Sequence, residues 1–161
     1  MPLVYNQSMS TLEVPKSFIE YLKSRPEIVA AYLFGSVAAG KAHKFSDVDV
    51  ALLLAEQADR DTAWEIRLEA MGEAETAFGR RADVGILNTS PVVFCYLVLK
   101  HGRLIFDRGL SRRPEFEART YLGYFDLKPY LEEYDHAMFK RIKERGVGYG
   151  HRKTARSFAK A

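Results

Sequence analysis

Gly35 and Ser36 stand at the end of an apolar run, and after ten residues Asp47 and Asp49 open another, DVDVALLL. Successive side chains of a strand alternate between faces, so a strand from Asp47 puts both carboxylates on one side and Val48 and Val50 on the other. Paired carboxylates repel and are costly to desolvate unless a cation lies between them, and a hard divalent ion such as Mg²⁺ suits oxygen ligands. Asp83 begins a further apolar strand. A neighbouring strand is only about 5 Å away, so Asp83 can complete a three-carboxylate cluster. Such a cluster holds two metals about 3.5–4 Å apart, the arrangement used for in-line displacement at phosphorus. Gly35 lets a phosphate approach the backbone, Ser36 offers a hydroxyl, and a helix start after them presents free N–H groups.

The elements that must position these residues are readable from periodicity and breakers. Val14 to Arg25 is predicted as a helix, with Phe18, Ile19 and Leu22 on one face and Pro15 in its first turn. Strands are predicted at Ile28–Phe34, Asp47–Leu54, Asp83–Leu87 and Arg103–Phe106, and a helix at Asp61–Phe78. A further helix runs to His101, beginning at Pro91 and capped by Ser90. Residues 114–145 read as helix interrupted near Asp126–Pro129, because proline removes a backbone donor and disfavours helix before it. This alternation predicts an α/β fold, a small mixed sheet flanked by helices with a C-terminal helical segment. Residues 1–145 form one domain, and 146–161 a basic, disordered tail.

Composition narrows the function classes. Four of the 24 Lys and Arg lie in that tail, and the remaining 20 face 21 Asp and Glu, so the body offers no basic face for nucleic acid. Cys95 is the only cysteine, which excludes an intramolecular disulfide and fits a packed core thiol. No apolar run is long enough to span a membrane and no signal peptide is visible, so a soluble, cytoplasmic protein is expected. His43, His101 and His136 lack a second ligand at metal spacing, and the Arg145 and His151 pair is set aside as coincidence.

With Asp83 on a later strand, the pattern Gly35-Ser36, ten residues, Asp47-x-Asp49 resembles the DNA polymerase beta type nucleotidyltransferase superfamily. Within it, the size and the helical C-terminal third resemble the minimal nucleotidyltransferase antitoxins encoded beside HEPN toxins. The likeness covers most of residues 25–145, and only the catalytic motif is specific. It implies that Ser36 holds a terminal phosphate, that Asp47 and Asp49 bind metal, and that Asp83 binds one metal and helps activate the acceptor. It also implies ATP as substrate, two Mg²⁺ ions, and a HEPN toxin as partner in a hetero-oligomer, with AMP passed to a toxin tyrosine. Ala39 departs from the family, where arginine is frequent; Lys41, Lys44, Arg80 and Arg81 are the candidate substitutes. Two alternatives stand beside this expectation: nucleotidyl transfer to a small molecule such as an aminoglycoside, and an antitoxin acting by binding alone. Phe116, Tyr121, Tyr124, Phe125, Tyr130, Tyr134 and Phe139 are more aromatics than so small a core can cover, and part of the set is expected to dock the toxin.

Overall fold

The computed structural model describes residues 12–38, 46–56 and 58–145. Its elements run α1 (Lys16–Ser24), β1 (Ile28–Phe34), α2 (Gly35–Ala38), β2 (Val48–Leu54), α3 (Arg60–Phe78), β3 (Ala82–Ile86), α4 (Val92–His101), β4 (Arg103–Asp107) and α5 (Arg112–Arg145), with a 3-10 turn at Leu87–Thr89. The four strands form one sheet in the order β3-β2-β1-β4. β2 runs parallel to β3 through the α3 crossover, while β1 is antiparallel to both β2 and β4. The α/β expectation of a small mixed sheet with flanking helices is borne out. The predicted tail at 146–161 lies outside the described residues.

The two central strands are apolar almost throughout because both of their faces are covered. One face packs Phe18 and Leu22 of α1 and Ile66, Ala70 and Ala74 of α3 against Leu33, Val50, Leu52 and Val84. The other packs Cys95 and Val98 of α4, with Phe116 of α5, against Tyr32, Ala51 and Leu53. Each fully buried Phe or Leu contributes about 1.5–3 kcal/mol relative to exposure. Cys95 is buried as expected, and burial pushes its thiol pKa up.

Local chemistry sets the boundaries. Asp59 caps α3 by accepting from the Thr62 N–H at 2.8 Å, and Gly79 ends it in the left-handed region at φ 64°. Asn88 closes β2 by accepting from the Leu54 N–H at 2.8 Å and donating to the Leu54 carbonyl at 2.9 Å. Arg108 donates to the carbonyls of Leu22, Arg25 and Ile28, tying the end of α1 to the start of β1. Ser90 does not cap α4. Its hydroxyl donates to the Ile86 carbonyl at 2.8 Å, and Pro91 takes the cap position without a side-chain bond.

The chain divides into two units between Tyr124 and Phe125. In the first, the opening of α5 is pinned: Tyr32 donates to Glu117 at 2.8 Å, and Arg113 bridges Glu117 and Asp107 at 2.8 Å each. The Tyr96 and Tyr124 rings stack at 3.5 Å and 4°. The second unit continues α5 to Arg145. The predicted interruption at Asp126–Pro129 is absent, and Pro129 lies inside one helix. One proline forfeits a single hydrogen bond, and a helix nucleated on both sides of it can absorb that loss.

Candidate active site

The strand register brings the candidate residues to one end of the sheet. Phe34 stands across from Asp49 in the antiparallel pair, and Asp49 stands across from Asp83 in the parallel pair. Gly35 and Ser36 follow Phe34 directly as the first residues of α2. Asp47 falls just ahead of β2 rather than within it, so it is placed by the loop and not by strand alternation. The backbone there is fixed by the Val48 N–H donating to the Arg81 carbonyl at 2.9 Å. Asp83 is the second residue of β3, which begins at Ala82, one residue earlier than predicted.

Gly35 has φ 70°, a region open to glycine, and a Cβ built on it would collide with Oδ2 of Asp49 and lie 3.0 Å from its Cγ. The glycine is therefore needed for the approach of a carboxylate to the backbone. Sequence reasoning assigned it only to the approach of a phosphate.

Asp49 is half-buried, while Asp47 and Asp83 are exposed. Partial burial raises the Asp49 carboxyl above the usual carboxylate range, and the negative charges of Asp83 and then Asp47 raise it further. Asp49 thus feels both of the other acids. Among the described residues, however, no group of three such side chains is drawn together closely enough to hold a metal ion as it stands. Asp83 Oδ1 is instead 3.6 Å from Arg67, whose Nε donates to the Val84 carbonyl at 2.7 Å on the open edge of β3. As a donor set the three aspartates fit a hard divalent cation: all are oxygen ligands, and their mutual repulsion is what a cation would relieve.

Arg67 was missed by the sequence reading because nothing local links it to Asp83; only the α3 crossover brings them together. Phe94 was missed likewise. Its ring meets Phe34 edge-on at 5.4 Å and lies 3.6 Å from where a Gly85 Cβ would be, walling the sheet face that carries Asp49 and Asp83. Of the candidate phosphate ligands, Arg80 is half-buried and Arg81 exposed, whereas Lys41 and Lys44 lie outside the described residues, as do Ala39 and His43. His101 and His136 are both exposed, on α4 and α5. A shallow groove of about 360 Å³ lined by Pro26, Glu27, Ala55, Ala58 and Thr62 contains none of the candidate residues.

Comparison with known proteins gives the same direction. The chain is 30% identical over 81 residues to the protein adenylyltransferase MntA of Shewanella oneidensis, a stretch that is 50% of this chain and 55% of that protein. The chain therefore spans about half the length of this curated relative. Its fold matches a chain of a toxin–antitoxin crystal structure with AMP-PNP at TM-score 0.64 and 24% identity, covering 77% of this chain and 97% of the other. It also matches, at TM-score 0.55 and 22% identity, a structure of the tri-AMPylated Shewanella oneidensis HEPN toxin in complex with MNT antitoxin, covering 75% and 92%. Gly35 and the paired Asp49 and Asp83 lie within residues 16–109, which match the family Polymerase beta, Nucleotidyltransferase, and the chain belongs to that family.

Proposed function

We propose that this protein is an ATP- and Mg²⁺-dependent protein adenylyltransferase that transfers AMP to a tyrosine of a cognate HEPN toxin and thereby neutralises it. The observation that carries the reading is the alignment of Asp49 with Asp83 across the parallel pair, with Gly35 closed onto the Asp49 carboxylate. Similarity to MntA, and to toxin–antitoxin structures with AMP-PNP and an AMPylated toxin, supports a toxin acceptor over a small molecule.

In the proposed reaction the tyrosine oxygen attacks the α-phosphorus of ATP. The bond from that phosphorus to the bridging oxygen breaks, and pyrophosphate leaves. Ser36, in the first turn of α2, donates to a terminal phosphate, and Gly35 leaves room for the Asp49 carboxylate beside it. Asp47, Asp49 and Asp83 are the residues that would hold the two ions, and Asp83, the more exposed of the two paired across strands, would help to take up the acceptor proton. Magnesium, when bound, lowers the pKa of the acceptor hydroxyl and offsets charge on the triphosphate. Residues 1–145 act on this reading as one minimal nucleotidyltransferase domain with 146–161 as a basic appendage. The cytoplasm is its proposed compartment; among the described residues no helix is long and apolar enough to cross a membrane.

The aromatics of α5 divide between packing and exposure. Phe116 joins the core and Tyr124 stacks on Tyr96, whereas Phe125, Tyr130 and Phe139 are exposed and are the proposed toxin contacts. Replacing Asp47 and Asp49 together by Asn should abolish AMP transfer while leaving the circular dichroism spectrum unchanged. Near wild-type turnover of that variant at saturating Mg²⁺ would overturn the proposal.

A further inference from the structure

Arg67 reaches one of the three aspartates from the opposite side of the sheet. On β3, Ala82, Val84 and Ile86 pack into the core shared with α1 and α3. Side chains alternate along a strand, so Asp83 and Gly85 face the other way, toward the side where the Phe94 ring of α4 lies against Gly85. Arg67 belongs to α3, on the side that Asp83 turns away from. Its side chain therefore meets Asp83 by passing round β3, the outer strand of the sheet.

Two contacts fix the guanidinium at that edge. Its Nε donates at 2.7 Å to the carbonyl of Val84, the residue after Asp83. Its central carbon is 5.6 Å from the centre of the Trp64 ring, one turn earlier on α3 and within cation–π range. A guanidinium is a rigid planar fork, so holding Nε also sets the direction of the terminal nitrogens. One of these, Nη2, lies 3.6 Å from Oδ1 of Asp83. Among the described residues no other cation is paired with Asp83. The two side chains are 37% and 69% exposed, and an ion pair at that exposure adds little to the stability of a fold. A carboxylate that must coordinate a cation, by contrast, gains from a partner that fixes its orientation.

We propose that Arg67 is a positioning residue for Asp83: anchored on the Val84 carbonyl, it holds the carboxylate in the orientation from which it binds the divalent cation. The inference rests on the reading of Asp83 as a metal ligand and adds the residue that orients it. Arg67 touches neither substrate nor cation and acts through Asp83 alone. Its positive charge also repels a cation, so the sign of its effect on metal affinity separates holding the ligand from competing for it.

Binding of Mn²⁺ to the full chain, followed by the electron paramagnetic resonance of the free ion, tests this without nucleotide or toxin. Arg67→Ala should raise the Mn²⁺ dissociation constant about tenfold, the lower end for loss of a residue that orients a metal ligand. Arg67→Lys should return to within about threefold of wild type, because an ammonium keeps one charged donor although it cannot serve Val84 and Asp83 together. Asp83→Asn should weaken binding by itself. Adding Arg67→Ala to it should change the constant by less than about twofold, since the group through which Arg67 acts is gone. Thermal midpoints of the Arg67 variants should match wild type, which a purely structural role would not allow. Mn²⁺ bound by Arg67→Ala as tightly as by wild type, or an equal loss in both backgrounds, would overturn the proposal. Tighter binding would overturn it too and make Arg67 a competitor of the cation. If Asp83→Asn binds Mn²⁺ as wild type does, Asp83 is no ligand and the metal-site reading falls with the proposal. A cycle that holds while the wild-type protein leaves the HEPN toxin unmodified would support the positioning role and count against the adenylyltransferase reading alone.

Discussion

Gly35 is held by two constraints at once, a positive φ and the Asp49 carboxylate against its Cα. Gly35→Ala should therefore cost about 1–3 kcal/mol of stability. In an Asp49→Gly background part of that cost should vanish, because the collision is gone and only the backbone strain remains; urea denaturation of the four proteins closes the cycle. Additive costs would show that the contact has no energetic weight. Asp49 itself carries a raised pKa from burial and from its acidic neighbours. A carboxyl whose folded pKa is raised stabilises the fold in full below its unfolded pKa and loses that contribution as pH rises through the folded value. Without metal, Asp49→Asn should then unfold at higher urea than wild type at neutral pH, and the advantage should fade as the pH drops below the carboxylate range. Equal midpoints at neutral pH would show that the repulsion is already relieved without a cation.

Elements were legible where a single face or a breaker decided them. The four strands and α3 fall within one or two residues of expectation, because continuous apolar runs and turn residues mark them. The site was readable for a related reason: Gly35-Ser36 and Asp49 sit at strand ends, where local spacing reports geometry. What stayed hidden depends on contacts distant in sequence. Asp47 belongs to the loop because the Val48 N–H meets Arg81, and Arg67 reaches Asp83 only across the crossover. Ser90 turned to Ile86, a choice that cap preference alone does not reveal. At Pro129 a local rule was outweighed by a helix of 34 residues. Since proline is about 3 kcal/mol less favourable than alanine inside a helix, Pro129→Ala should raise the far-UV helical signal and sharpen its thermal loss. An unchanged signal would mean that neighbouring contacts already offset the missing hydrogen bond.

At the scale of the whole molecule, the first unit supplies a sheet end with aligned carboxylates and a glycine turn, and the second a long exposed helix bearing aromatics. A small-molecule transferase would need an acceptor pocket, whereas an enzyme acting on a protein needs a surface that brings the acceptor to the carboxylates. The exposed Phe125, Tyr130 and Phe139 of the second unit are the proposed contacts for such a partner, since aromatic side chains bury much area with few rotatable bonds. The central claim is that AMP passes from ATP to a HEPN toxin. The direct measurement is the intact mass of the cognate toxin after incubation with this protein, ATP and Mg²⁺. The account predicts a gain of one or more AMP units on the toxin, located on tyrosine by fragmentation, and no gain with the Asp47→Asn, Asp49→Asn double variant. An unmodified toxin mass with the wild-type protein, in a mixture where the two proteins co-purify and ATP is in excess, would contradict it.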